Sequence, residues 1–356
     1  MIRKYFRYIF FLAMLSGCIS GPHDEKSLPP GTGKPGEVLL VIDSAKWNGD
    51  IGHELKVTFN SSVESLPRSQ PMFDLRHVGP RDFKSILLQA KNLVLLIPLY
   101  EDSRPSQRMQ NFFNEKSLDS LRANPDLFLI QKKNLYATNQ VILFIIGHSK
   151  EDLLRNLVNY RDAMRKFFND AENKRALTNL YGIKEESMIA NKLKDEHNFD
   201  IRVPYSFKVV YDKDNFIWLR LPGQKIDKNI VIAYKDYKDP KDFESQNLID
   251  WRNKIFNENI FGDPDNPESY VITESLVPPI ISQVTFNGKF AMKINGLWKT
   301  HDISMGGPFV AYSLVDQKLN RMYYIEGFVY SPGVQQRELI REMDVVLQTF
   351  HTSDSN

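Results

Sequence analysis

Apolar residues along this chain follow two rhythms, unbroken short runs and helical stripes, and their order predicts the architecture. Val38-Leu39-Leu40-Val41-Ile42 is a continuous apolar run closed by Asp43, the pattern of a strand covered on both faces. A helix is expected over Lys46 to Phe59 and an alternating strand over Phe73 to Val78. A short helix with proline in its first turn should span Pro80 to Ala90, and a second buried strand Leu93 to Leu99. That succession reads as βαβαβ.

A hairpin followed by a helix then occurs three times. Leu127 to Ile146 is read as a hairpin, and Ser149 caps a helix with Glu151 and Asp152 in its first turn. The stripe of that helix is Leu153, Leu154, Leu157, Val158, Met164, Phe167, Phe168 and Ala171, and Gly182 stops it. Phe207 to Leu221 forms a second hairpin turning at Asp212 to Asn215, followed by a strand Ile230 to Tyr234 and a helix from Asp242 to Asn259. Phe309 to Tyr330 forms a third, followed by a helix from Pro332 to Phe350 with Leu339, Met343, Val346, Leu347 and Phe350 on one face. The expected class is α+β, with mixed or antiparallel sheets and helices packed on one side. The expected division is residues 37–198 and 199–356.

The amino terminus breaks both rhythms. Arg3, Lys4 and Arg7 precede an apolar stretch from Tyr8 to Leu15, and Leu15-Ser16-Gly17-Cys18 reads as a bacterial lipobox around the only cysteine of 356 residues. A membrane-crossing helix would need about 20 apolar residues, roughly twice this run. Residues 1–17 are therefore read as a lipoprotein signal and Cys18 as the acylated residue, tied to the membrane by chains worth roughly 0.8 kcal/mol per buried methylene. Residues 18–36, with Pro22, Pro29, Pro30, Pro35 and four glycines, are read as an extended tether.

Loss of the signal changes the charge. It leaves 43 basic side chains against 44 acidic ones, which is no electrostatic footprint for nucleic acid. With Cys18 acylated, disulfides, thiolate zinc and iron–sulfur sites are excluded. No motif calls for a cofactor.

Candidate chemistry is sparse. Met305-Gly306-Gly307-Pro308 is the most distinctive loop: the amides of Gly306 and Gly307 form either an anion nest approached by a ligand or a tight turn into a strand from Phe309. No lysine-serine or lysine-threonine pair follows, so it is not a phosphate loop. Arg337 and Arg341 lie four apart, opposite the apolar stripe of the last helix. They either meet an anionic partner or form a solvated face neutralised by Glu338 and Asp344.

His301 and Asp302, beside the glycine loop, are the weak candidates for catalysis. His53-Glu54 lacks the second histidine of a zinc-protease helix, and His77, His148, His197 and His301 are isolated in sequence, so no metal site is expected. The oxygen-rich run Gly262 to Glu268 breaks the EF-hand pattern with two prolines and reads as a turn. No Gly-x-Ser-x-Gly elbow is present. Trp47, Trp218, Trp251, Trp298, Tyr323, Tyr324, Phe328 and Tyr330 are either a sugar-stacking platform or core.

Four local words, Gly33-Lys34-Pro35-Gly36-Glu37-Val38, Asn295-Gly296-Leu297-Trp298, Met305-Gly306-Gly307-Pro308-Phe309 and Glu326-Gly327-Phe328-Val329-Tyr330, resemble a Bacteroidetes lipoprotein family known only as a domain of unknown function. The resemblance spans nearly the whole mature chain. It departs at Lys91 and Asn295, where the family tends to have arginine. It implies a lipid-anchored envelope protein and supplies no activity, cofactor or catalytic residue.

The resulting expectation is an accessory protein on the periplasmic side of the outer membrane that binds an envelope protein or glycan. The competing expectation is an envelope hydrolase or transferase acting on glycan or lipid. Cells fed a labelled palmitate precursor should mark the wild-type chain and leave Cys18→Ala unlabelled and released from membranes; label on the variant removes the anchor.

Overall fold

The computed structural model describes residues 28–213 and 215–354; the signal segment and Cys18 lie outside them. Two compact units divide the chain, one running to Ser61 and again from Phe73 to Phe168, the other comprising Ser62–Met72 and the chain from Asn169 onward. The division falls inside a helix, ahead of the 198/199 boundary expected from the sequence. That helix is continuous across it, so no change in local pattern marks the point.

The first unit is a mixed sheet. Its strands are β1 Glu37–Val41, β2 Asp74–Val78, β3 Asn92–Pro98, β4 Leu129–Lys133 and β5 Val141–Gly147, in the order β2-β1-β3-β5-β4. The first four in that order are parallel and β4 is an antiparallel edge. Apart from half-buried Glu37 at the start of β1, the three central strands are buried throughout, as their apolar runs require. Its helices are α1 Ser44–Asn48, α2 Asp50–Phe59, α3 Arg104–Gln110, α4 Glu115–Arg122, α5 Lys150–Asn159 and the start of α6 Arg161–Tyr181.

Several local readings are corrected. The helix expected over Lys46 to Phe59 is two helices, broken at Gly49, and α2 crosses Trp47 so closely that a Cβ on Gly52 would lie 1.9 Å from the Trp47 carbonyl oxygen. The segment from Pro80 narrows to one 3₁₀ turn, Ser85–Gln89. α3 and α4, which the pattern did not show, cap their starts with Ser103 and Asn114 and cover one face of the sheet through Met109, Leu118 and Leu121. The tether is shorter than expected. Pro30 and Thr32 already bridge to Thr138 and Ala90, and a Cβ on Gly31 would meet the Thr138 carbonyl at 2.8 Å.

The second unit carries α7 Ser187–His197, the short pair β6 Phe199–Asp200 and β15 His351–Thr352, and an eight-stranded antiparallel sheet. That sheet is built from β7 Lys208–Lys213, β8 Phe216–Leu221, β9 Asp227–Asp236, β10 Val271–Thr273, β11 Ile280–Phe286, β12 Lys289–Thr300, β13 Gly306–Asp316 and β14 Arg321–Tyr330. The helices are α8 Ser245–Asn259 and α9 Arg337–Leu347. The central order is β12-β13-β14-β9-β8-β7, with β10 and β11 both paired to β12. The α+β class and the mixed and antiparallel sheets are as expected.

The one-sided packing is not. Ile230, Ile232, Val310, Tyr312, Tyr323 and Ile325 face Met343, Val346 and Leu347 of α9, while Val231, Ala233, Ala311, Met322, Tyr324 and Phe328 face Leu248 and Phe256 of α8. β9, β13 and β14 are apolar on both faces, so a two-sided cover is what they require. The β11–β12 hairpin was also missed. It turns on Asn287 and Gly288, both at positive φ (47° and 83°), the backbone a two-residue hairpin loop needs.

A charged pair lies inside this apolar sandwich. Arg252 of α8 and Glu326 of β14 are both fully buried and joined by two hydrogen bonds, Nε to Oε2 at 2.8 Å and Nη2 to Oε1 at 2.7 Å. The guanidinium also donates to Thr273 Oγ1 at 3.1 Å and lies between the Phe256 and Phe309 rings, and the Tyr324 hydroxyl donates to the carboxylate. Burial alone would lower the pKa of Arg252; the Glu326 carboxylate outweighs it and holds the guanidinium charged above its ordinary value. Arg252→Met should therefore cost about 3–5 kcal/mol in urea unfolding, and Arg252→Met with Glu326→Leu should recover most of it, because the loss comes from an orphaned buried charge.

Candidate functional site

The glycine loop does not stand where the sequence placed it. Gly306 and Gly307 are the first residues of β13 and pair with Lys299 and Trp298 of β12. The cause of the glycines is a close approach by the protein's own backbone: a Cβ on Gly307 would lie 2.0 Å from the Val329 carbonyl oxygen, and one on Gly306 2.9 Å from that of Trp298. Pro308 has no N–H to offer beyond the last paired position of β13 and β14, and the Trp298 indole instead donates to the Val329 oxygen at 3.2 Å.

These strand ends form the floor of an open cleft of about 480 Å³, within the roughly 300–1,000 Å³ of small-molecule sites. Its walls come from Arg68 and Gln70, from Glu274 after β10, from Ile303 to Met305, and from the turn Ser331 to Gln336 ahead of α9. The Gln70 side chain fixes the last wall, accepting the backbone N–H groups of both Gln336 and Arg337 at 3.0 Å and so capping a helix whose own first residue provides no cap. Glu274 and Lys299 pair at 3.1 Å across another wall. The Leu276 amide, and then the Lys299 ammonium, hold the Glu274 carboxyl below the usual range.

A smaller recess of about 40 Å³ shares Trp298, Met305 and Tyr330 with this cleft. Its back is buried Asp227, gripped by Arg220 through Nε at 3.0 Å and Nη2 at 2.7 Å and by Asn229 at 2.8 Å. Trp218, Trp298 and Phe328 are buried here, which is the core reading of the aromatics rather than a sugar platform; Tyr330 alone of the four rings is partly exposed.

The other candidates are separated from the cleft. Arg337 and Arg341 are 8% and 9% exposed and are no solvated face. Arg337 donates to the Pro71 carbonyl at 2.9 Å and to Glu338, and Arg341 to Glu338 and to the side-chain oxygens of Asn169 and Asn173. Asp344, expected as their counter-charge, pairs with Lys293 and Tyr312 instead. Segments 62–72 and 169–173 cover the helix face that the stripe left polar. His301 stacks on Tyr270 with ring centres 4.6 Å apart and lies 3.1 Å from Glu268, outside the cleft lining. Asp302 shapes the turn: the Thr300 and Ser304 hydroxyls hold its carboxyl below the ordinary range.

Residues 31–181 match a domain of unknown function (DUF8532), and residues 186–349 match a second (DUF4837). Neither description assigns a function. No curated protein matches the chain. Among solved structures it is similar to the Ran-binding protein Mog1p of Saccharomyces cerevisiae, with 10% identity over 44% of this chain and 91% of that one and a TM-score of 0.30. It is also similar to the human StarD13 lipid transfer and protein localization domain, with 9% identity over 45% of this chain and 96% of that one and a TM-score of 0.21. Such scores carry no argument about fold or function.

Of the residues singled out in the sequence, the cleft brings together Trp298, Met305, Gly306, Gly307 and Tyr330 and leaves out Arg337, Arg341, His301 and Asp302. Arg68, Ile303 and the Ser331–Gln336 turn were missed; Pro332-Gly333, one residue after the Gly-Phe-Val-Tyr word, was the available sign. Gly307→Ala should unfold at lower urea, by about 1–3 kcal/mol or more, since a backbone carbonyl has to move to admit the methyl group; an unchanged midpoint would refute the close approach.

Proposed function

We infer that this is a lipid-anchored cell-envelope protein that works by binding, holding part of another envelope component in the cleft at the ends of β12, β13 and β14. The single observation behind the reading is a preformed concavity of about 480 Å³ whose walls are set by backbone pairing, a side-chain cap and an ion pair. Such walls lose little freedom when a ligand arrives, so little of the binding free energy is spent on ordering them. The lipobox around Cys18 and the resemblance to a Bacteroidetes lipoprotein family support the envelope location, with the outer membrane favoured because Ile19, not aspartate, follows the cysteine. Among the described residues no helix is long and apolar enough to cross a membrane.

The lining suits a ligand of mixed character. Ile303 is 74% exposed at the rim beside Met305, and Arg68 and the Glu274–Lys299 pair supply charge. A photo-crosslinking residue at Ile303 in living cells should capture one envelope component, and Val334→Trp, which fills the cleft from its side wall, should abolish the adduct. An adduct indifferent to Val334→Trp would move binding elsewhere.

A further inference from the structure

Away from the cleft, α7 and the β7–β8 hairpin bring Glu196 and His197, neighbours at the end of the helix, together with Asp212. We propose that Glu196, His197 and Asp212 form a binding site for a zinc-type divalent cation, in which the Lys192 ammonium is the group that the metal displaces. One ligand atom from each of the three lies within 4.8 Å of the others. His197 is 5% exposed, its ring stacked against Phe199, with Nε2 2.8 Å from Asp212 Oδ1 and Nδ1 2.9 Å from the Tyr234 hydroxyl.

That hydroxyl serves either tautomer in place. It donates to Nδ1 when Nε2–H points at Asp212, and accepts from Nδ1–H when the Nε2 lone pair faces a metal. Fixing the second ring nitrogen in this way is what orients a ligating imidazole.

A cation already occupies the place between the two carboxylates. Lys192 Nζ is 2.6 Å from Asp212 Oδ2 and 3.4 Å from Glu196 Oε2, while its side chain is half exposed and free to turn into solvent. One nitrogen and two oxygen donors match zinc better than magnesium or calcium, which favour oxygen alone, and three protein ligands leave a fourth position for water.

The test is calorimetric titration of the full chain with Zn²⁺ alone, with Co²⁺ absorption reporting the geometry. One equivalent should bind. Lys192→Met should bind about tenfold tighter or more, having lost the competing charge. Tyr234→Phe should bind about 10–100-fold more weakly, and His197→Ala and Asp212→Asn should lose the site. Lys192 is half exposed, so its variant reports on the site even if the His197 variant fails to fold. No bound equivalent in either the wild type or Lys192→Met, no tightening in Lys192→Met, or undiminished binding in His197→Ala would each overturn the proposal.

Discussion

The arrangement of the second unit depends on Arg252 and Glu326. Two opposite charges taken wholly out of water lose several kcal/mol of hydration each, and only near-ideal geometry returns it. Here the geometry is a two-point fork, completed by Thr273 and Tyr324 and flanked by two aromatic rings. A pair of this kind adds little net stability over an apolar substitute, but it tolerates only one register. α8 sliding by a turn would leave both charges unpaired. The contact thus ties α8, β10, β13 and β14 together at one point, and the cleft opens at the ends of β12, β13 and β14.

The same sheet explains the most distinctive word in the chain. Met305-Gly306-Gly307-Pro308-Phe309 combines two absent side chains with an absent donor, and each absence has a local partner. The Val329 carbonyl fills the space beside Gly307, and the Trp298 indole satisfies that carbonyl where Pro308 cannot. A motif that resembled a ligand-binding loop is primarily a packing device, set by the close approach of the Val329 and Trp298 carbonyls. Polar residues that looked free were consumed in the same way: Gln70 caps α9, and Pro71, Asn169 and Asn173 take up the two arginines.

Much of the fold was legible where burial is two-sided or where turn chemistry is unambiguous. The runs Val38 to Ile42, Leu93 to Leu99 and Val141 to Ile146 became the central parallel strands, and Ser149 capped its helix through the Asp152 amide at 3.0 Å. What escaped was either short or half exposed. α3 and α4 are seven and eight residues long, too short for a stripe to stand out from noise. β11 is an edge strand with most of its residues at or near solvent, and its Asn287-Gly288 turn was the surviving sign. Of the candidate site the Met305-Gly306-Gly307 loop and the Trp298 and Tyr330 rings were foreseen, the glycines for a different reason from the one that places them.

The buried runs and most of the strands and helices follow from residues adjacent in the chain, because capping and periodicity act over a few positions. Which polar groups stay available does not. Arg337 meets Pro71 and Gln70 meets α9 across more than 260 positions, and His197 faces Asp212 only because a helix end and a hairpin fold together. Whether a charge is free or spent is decided by what covers it, and that cover is assembled by long-range burial that no local pattern encodes.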